Sequence, residues 1–172
     1  MLLNLISTIY LFNLINLGIS FGPYLPMGRL DVYRIGTSVS LLSEINRFEL
    51  NYTYSQFSNQ FIPQEKLNIH GITAAYGYPI SKNEYRKISI QVGTGYYHII
   101  RRLNRNHEQG TLWGLRYGVK YEQILANNNF QPTLFTLLHA DQIVQSRRWQ
   151  NQQLNVNNYL VKILIGIKLN IL

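Results

Sequence analysis

From Tyr159 to Leu172 the chain alternates. Tyr159, Val161, Ile163, Ile165, Ile167, Leu169 and Ile171 are all apolar, while the positions between them include Lys162, Gly166, Lys168 and Asn170. A helix would scatter the two lysines around an apolar cylinder. A strand sends successive side chains to opposite faces, so one face becomes a β-branched wall and the other carries charge. The same period recurs upstream: Ile15, Leu17, Ile19 and Phe21 oppose Asn16, Gly18, Ser20 and Gly22, and Phe48, Leu50, Tyr52 and Tyr54 oppose Glu49, Asn51, Thr53 and Ser55. Near 30–40, Tyr33, Ile35 and Val39 oppose Arg34, Gly36, Ser38 and Ser40, which predicts a second strand there.

In the second half, Ile88, Ile90, Val92 and Tyr96 oppose Lys87, Ser89, Gln91 and Gly93, and Trp113, Leu115, Tyr117, Val119 and Tyr121 oppose Gly114, Arg116, Gly118, Lys120 and Glu122. Residues 133–144 alternate if Leu134, Leu138, Ala140 and Val144 face lipid, leaving His139 and Asp141 inside, where charge costs less. Residues 67–78 are ambiguous: Ile72, Ala74, Tyr76 and Tyr78 share one face, but Leu67 and Ile69 fall on the other, which a bulge at Gly71 would reconcile. Long polar connections at 58–66, 101–109 and 146–158 alternate with turns near 43, 82 and 128. Eight strands with long and short connections at opposite ends predict an all-β, closed, antiparallel up-and-down transmembrane barrel.

The organisation expected is an apolar, export-signal-like segment at 1–13, which could extend to about 20, and a barrel domain at 14–172. Whether 14–24 is the first stave or part of a cleaved signal stays open on the sequence. Apolar residues make up 46% of the 172 and charged ones 14%, with 13 tyrosines and no cysteine. That is too apolar for disorder, yet mean hydropathy is only -0.11 and no apolar run is long enough for a transmembrane helix. Lipid-facing and lumen-facing residues that average out along each strand produce this balance. The missing cysteine excludes a disulfide framework and a thiolate metal site. A net charge of +8 is spread over scattered lysines and two arginine bunches, so membrane phosphate fits better than nucleic acid.

Phe48-Glu-Leu-Asn-Tyr-Thr-Tyr54, Thr111-Leu-Trp-Gly-Leu-Arg-Tyr-Gly-Val-Lys-Tyr121 and Ile163-Leu-Ile-Gly-Ile-Lys-Leu-Asn-Ile-Leu172 together resemble the small, eight-stranded, porin-like outer-membrane β-barrels of bacteria. The resemblance spans nearly the whole chain and rests on pattern, so it implies an architecture, an outer-membrane location, outer-membrane lipid as partner and insertion by the barrel-assembly machinery. That machinery usually reads a terminal aromatic residue; here the chain ends on Leu172, with the apolar face running through Ile171. A monomer is expected.

Eight strands enclose an interior just wide enough for side chains. Arg34, Glu49, Arg116, Lys120, Glu122, Asp141, Lys162 and Lys168 are therefore expected to form a lumenal ion-pair network. Tyr52, Tyr54, Trp113, Tyr117, Tyr121 and Tyr159 are the expected aromatic girdle. Arg101, Arg102 and Arg105, with His107, and Arg147 and Arg148, with Trp149, bunch in two connections; guanidinium forks suit phosphate, so the five arginines are candidate contacts for lipopolysaccharide. Against them stands simple solubility.

Two other readings compete. A lipid-modifying barrel enzyme, a lipid A palmitoyltransferase or deacylase, needs a nucleophile, base and acid within reach; only His139-Ala-Asp141 with Ser146 comes near, and the deacylases' His-x-Ser element is absent. His70, His98 and His107 read as polar fillers or rim groups. A soluble lipocalin-like barrel would turn the isoleucine face inward around a ligand. No metal-ligand spacing, phosphate-cradling glycine loop or cofactor motif is present, so no metal, cofactor or enzymatic activity is expected.

Overall fold

The computed structural model describes residues 15–27, 33–103, 106–126, 130–144 and 158–171, with the side chains of all of these except 106, 107, 158 and 159. Eight strands run in chain order: β1 (Ile15–Pro26), β2 (Gly36–Ile45), β3 (Phe48–Ser58), β4 (Glu65–Lys82), β5 (Arg86–Leu103), β6 (Asn106–Ile124), β7 (Thr133–Val144) and β8 (Asn158–Ile171). Each pairs antiparallel with its neighbour, and β1 pairs with β8, as in Ile19 opposite Ile167, to close the barrel. Closure removes every free edge, the condition for strands to cross hydrocarbon.

The isoleucine-rich face points out. Phe21, Leu41, Leu50, Ile72, Val92, Leu115, Leu138, Ile165 and Leu169 are exposed, whereas their neighbours Ser20, Ser40, Glu49, Thr73, Gln91, Arg116, His139 and Lys168 are buried. A soluble barrel would show the inverse, so the lipocalin-like alternative fails on this alternation. Aromatics bracket the outer wall: Tyr52, Tyr96 and Trp113 towards one end, and Phe48, Tyr76, Tyr78 and Tyr85 towards the other. The wall between them is apolar, as is the belt that such barrels present to lipid.

Several expected boundaries move. The second strand begins at Gly36, and Ile45–Phe48 closes it through the two-residue turn Asn46-Arg47, where Asn46 takes φ 58. The adjacent Leu41 and Leu42 do not end the strand: Leu41 faces out and Leu42 fills the lumen. There is no bulge at Gly71, since β3–β4 pairing runs unbroken through it, and the register shift of β4 lies between Pro79 and Ser81. Residues 101–103 and 106–109, expected in a loop, extend the β5–β6 hairpin, with Arg101 opposite Glu108. Residues 15–24, left open above, are a stave. β1 also runs past Pro23, which pairs with Thr37 on β2 while having no β8 partner, the side on which a missing N–H is harmless. At Gly22 the β8 backbone comes so close that a Cβ would sit 1.9 Å from the carbonyl oxygen of Ile163.

The lumen is filled in tiers. At the end carrying the 27–35 and 59–64 connections it is apolar: Tyr24, Tyr33, Phe57, Leu67, Ile69, Tyr97, Ile99, Leu112, Ile143 and Leu160 form one buried cluster. This is the reason Leu67 and Ile69 break the alternation rule. They obey the pleat and point inward, into a lumen that is greasy there. A smaller group, Phe135, Leu137 and Leu164, packs on the β7–β8 wall, with Phe135 lying over Gly166, where a Cβ would sit 2.5 Å from the ring.

Candidate functional site

Beneath the apolar tier lies a charged layer. The pleat turns Arg116 of β6, Asp141 of β7 and Lys162 of β8 inward together, and all three side chains are fully buried. Arg116 donates from Nε to Asp141 Oδ1 at 2.7 Å and from Nη2 to Oδ2 at 3.2 Å, a two-pronged pair. Lys162 Nζ lies 3.1 Å from the same carboxylate, and the Tyr24 hydroxyl donates to it at 2.8 Å. Arg116 also bonds the Thr73 hydroxyl, and Lys162 Nζ stands 5.3 Å over the Tyr24 ring. One carboxylate thus serves two cations, with polar neighbours completing their shells.

Next come His139 and Gln91, bonded to each other, with Gln91 donating to Glu49 at 2.7 Å. The last layer interleaves three carboxylates with three ammonium groups. Lys120 reaches Glu44 at 2.6 Å, Glu49 at 3.0 Å and Glu122 at 3.4 Å. Lys168 bonds Glu44 at 2.7 Å and also Glu122. Lys87 completes the set from β5, 3.2 Å from Glu122. A depression of about 320 Å³ at this end is lined by Glu44, Lys87, Glu122 and Lys168, so water entering it meets the ion-pair layer.

The structure therefore brings together Glu49, Arg116, Lys120, Glu122, Asp141, Lys162 and Lys168 inside the barrel. Arg34 is a correction: it precedes β2, its side chain is exposed, and its backbone N–H donates to the Ser58 carbonyl at 2.9 Å. The strand starts later than its alternation suggested, so Arg34 has no lumenal position to occupy. Sequence reasoning missed Glu44, hidden in what read as a turn, and the tyrosines and Gln91 that solvate the ions; Ser38, Ser40, Leu42 and Glu44 at two-residue spacing was the signal for the first.

At the outer end Glu65 is a hub. Its carboxylate accepts from Arg101 Nε at 2.7 Å and Asn59 Nδ2 at 3.2 Å, and from the Tyr33 hydroxyl; Arg101 also lies 3.6 Å from Glu108. Beyond the lipid belt, burial would raise the Glu65 pKa, but the hydrogen bonds from Arg101 and Tyr33 outweigh it and hold the carboxyl below its ordinary value. Burial and the bond to Glu65 push the Tyr33 phenol up. Arg101 is thus spent on holding the rim, while Arg102, on the opposite face of β5, is exposed. Arg105, Arg147, Arg148, Trp149 and Ser146 lie outside the described residues, as do the side chains of His107 and Tyr159.

Of the expected girdle, Tyr52, Trp113 and Tyr117 are exposed on the outer wall, and Tyr54 and Tyr121 are half-buried there. The triad-like grouping does not assemble: His139 turns to Gln91, and Asp141 is taken by Arg116, Lys162 and Tyr24. Among the described residues no three metal-ligating side chains converge.

No protein-family model matches the sequence, and no curated protein matches it significantly. Solved structures do. Neisserial surface protein A aligns over 91% of this chain and 96% of its own, with 13% identity and a TM-score of 0.67. A major outer membrane protein from Thermus thermophilus aligns over 90% and 98%, at 10% identity and a TM-score of 0.55. Ail, the attachment invasion locus protein of Yersinia pestis, in complex with the heparin analogue sucrose octasulfate, aligns over 91% and 96%, at 13% identity and a TM-score of 0.52. At such identities the likeness speaks for fold, and it agrees with strand count, closure and the polarity of the two faces: the chain has the fold of the small, eight-stranded outer-membrane β-barrel proteins.

Proposed function

We propose that this chain is a non-enzymatic barrel of the bacterial outer membrane, with a structural or surface-interaction role and an outer end that meets lipopolysaccharide phosphates. The observation that carries the reading is the tiered lumen. An apolar tier, a buried Arg–Asp–Lys layer and a lysine–carboxylate layer follow one another along the axis, which suits a wall or a platform and not a passage. With the interior spent on packing, interaction falls to the outer wall and the outer end. The commitment of Asp141 to two cations argues against acyl-transfer chemistry at His139. Exposed Arg102, together with Arg105, Arg147 and Arg148 from the sequence, would supply the phosphate contacts, and a neighbour of the same fold binding a polysulfated sugar favours an anion at the outer end.

Reconstitution in planar bilayers tests the carrying observation. Heat-modifiable barrel purified from outer-membrane fractions is expected to give no sustained channel currents, and lipid A from cells with and without the protein is expected to have the same mass spectrum. Porin-like steps would overturn the closed lumen; a new acyl or deacylated species would bring back the enzyme.

A further inference from the structure

On the outer wall, charge is confined to one place. Above the lower aromatics, the outward positions of the described strands carry no carboxylate, and their cations are Lys66 on β4 and Arg102 on β5. These two are direct cross-strand partners, and so are His70 and His98 four residues along. The imidazole centroids lie 6.4 Å apart. Like charges placed opposite one another on a sheet face destabilise it, so two successive basic rungs call for an anion between them.

The histidines are already oriented. His70 Nδ1 is hydrogen-bonded to the Tyr52 hydroxyl at 2.9 Å, and His98 Nδ1 to the Thr111 hydroxyl at 3.2 Å. Each ring is pinned through one nitrogen, and among the described residues Nε2 of each has no partner. The rungs stand at the upper edge of the belt, level with and beyond Tyr96 and Trp113, where headgroups lie. Tyr52 also lines an apolar groove of about 430 Å³ on the lipid-facing wall, with Leu17, Leu41, Ser43, Leu50 and Ile72. The groove is shaped for an acyl chain, and the residue at its margin touches the histidine rung.

We propose that the outer wall holds one phosphorylated glycolipid of the outer leaflet, with an acyl chain in the β1–β4 groove, one phosphoryl group on the His70–His98 rung of β4 and β5 and a second on the Lys66–Arg102 rung. Four residues of strand separate the rungs by roughly 13 Å, which requires a headgroup phosphorylated at two ends. The proposal rests on the lipopolysaccharide reading above and adds to the loop contacts a specific site on the wall. From β3 the histidines face Tyr52 and Tyr54, from β4 and β5 Lys66 and Arg102, and from β6 Thr111 and Trp113, with no acid among them to compete with phosphate for the two rungs.

Native mass spectrometry of the full chain in detergent, titrated with bisphosphorylated lipid A, its monophosphoryl form or inorganic phosphate, tests it. Expected is one lipid bound, the bisphosphorylated form preferred, and free phosphate not retained. The double change His70→Gln, His98→Gln should remove the preference for the bisphosphorylated form. Adding Lys66→Gln and Arg102→Gln should weaken binding about tenfold or more, the scale of one charge-assisted hydrogen bond. All four side chains are on the outer wall, and heat-modifiable migration verifies that each variant folds. A second variant, Arg105→Gln, Arg147→Gln, Arg148→Gln, should weaken binding less than the wall variant does and keep the preference for the bisphosphorylated form. Loss in this loop variant with full retention in the wall variant overturns the wall site while sparing the lipopolysaccharide reading. Failure of the wild-type chain to bind either lipid overturns both.

Discussion

Replacing Asp141 with alanine is expected to cost about 3–5 kcal/mol of folding stability, because it strands two buried cations at once. Arg116 and Lys162 have no exposed side-chain surface, and this carboxylate is the ion-pair partner of both. Neither cation can reach water past the apolar tier above it. Asp141→Asn keeps the shape and an acceptor for Arg116 but not the charge, so it should fall between alanine and wild type. Lys162→Met should be far milder, since it leaves the two-pronged Arg116–Asp141 pair intact and puts an apolar chain beside Leu160 and Tyr24. Adding Lys162→Met to Asp141→Asn should then recover part of the loss. Urea titration in vesicles, followed by the heat-modifiable gel shift, gives the order. An alanine variant as stable as wild type would mean that water reaches the layer.

How far the sequence carries depends on how the pleat is read. In 48–54 and 113–121 the outer face is apolar and the inner face carries no large apolar residue, and in 159–171 only Leu160 and Leu164 break the inner face, so strand, face and lumenal charge could be assigned together. Asp141 and Lys162 could even be placed at similar depth from strand order alone. The rule fails where the lumen itself is apolar. Leu42, Leu67 and Ile69 point inward, and an alternation reader sees in them a turn or a bulge. It fails again beyond the bilayer, where strands need no greasy face: Arg101 and Arg102 sit on a regular ladder that reads as a charged loop. Glu65 was hidden for the same reason, as its partners Tyr33 and Asn59 come from two separate connections and Arg101 from β5. The outer-wall rungs were visible only as stray histidines and a scattered lysine. Their meaning comes from β4–β5 register, which a single sequence does not state.

Register also sets the last expectation, at the other end of the lumen. Lys120 lies within 3.4 Å of Glu44, Glu49 and Glu122. Lys120→Met removes the cation common to all three. Glu44 and Glu122 keep Lys168 and Lys87, but Glu49 is left with Gln91. At neutral pH the cost should be about 3–5 kcal/mol, as for other buried pairs broken from one side. The sign of its pH dependence follows. The folded variant holds a buried carboxylate that would rather be protonated, whereas in the unfolded chain the same group is solvated; the folded state therefore binds more protons, and stability relative to wild type falls as pH rises. As pH drops from neutral to below the ordinary carboxylate range, near 4 to 4.5, the deficit should shrink towards zero. Lys168→Met should show the same trend at smaller amplitude, because Lys87 and Lys120 still reach both of its carboxylates. Urea midpoints of wild type and both variants across that pH range decide the matter. A Lys120→Met deficit that stays constant with pH would show that the loss comes from packing, and that the layer does not work as a charge cluster.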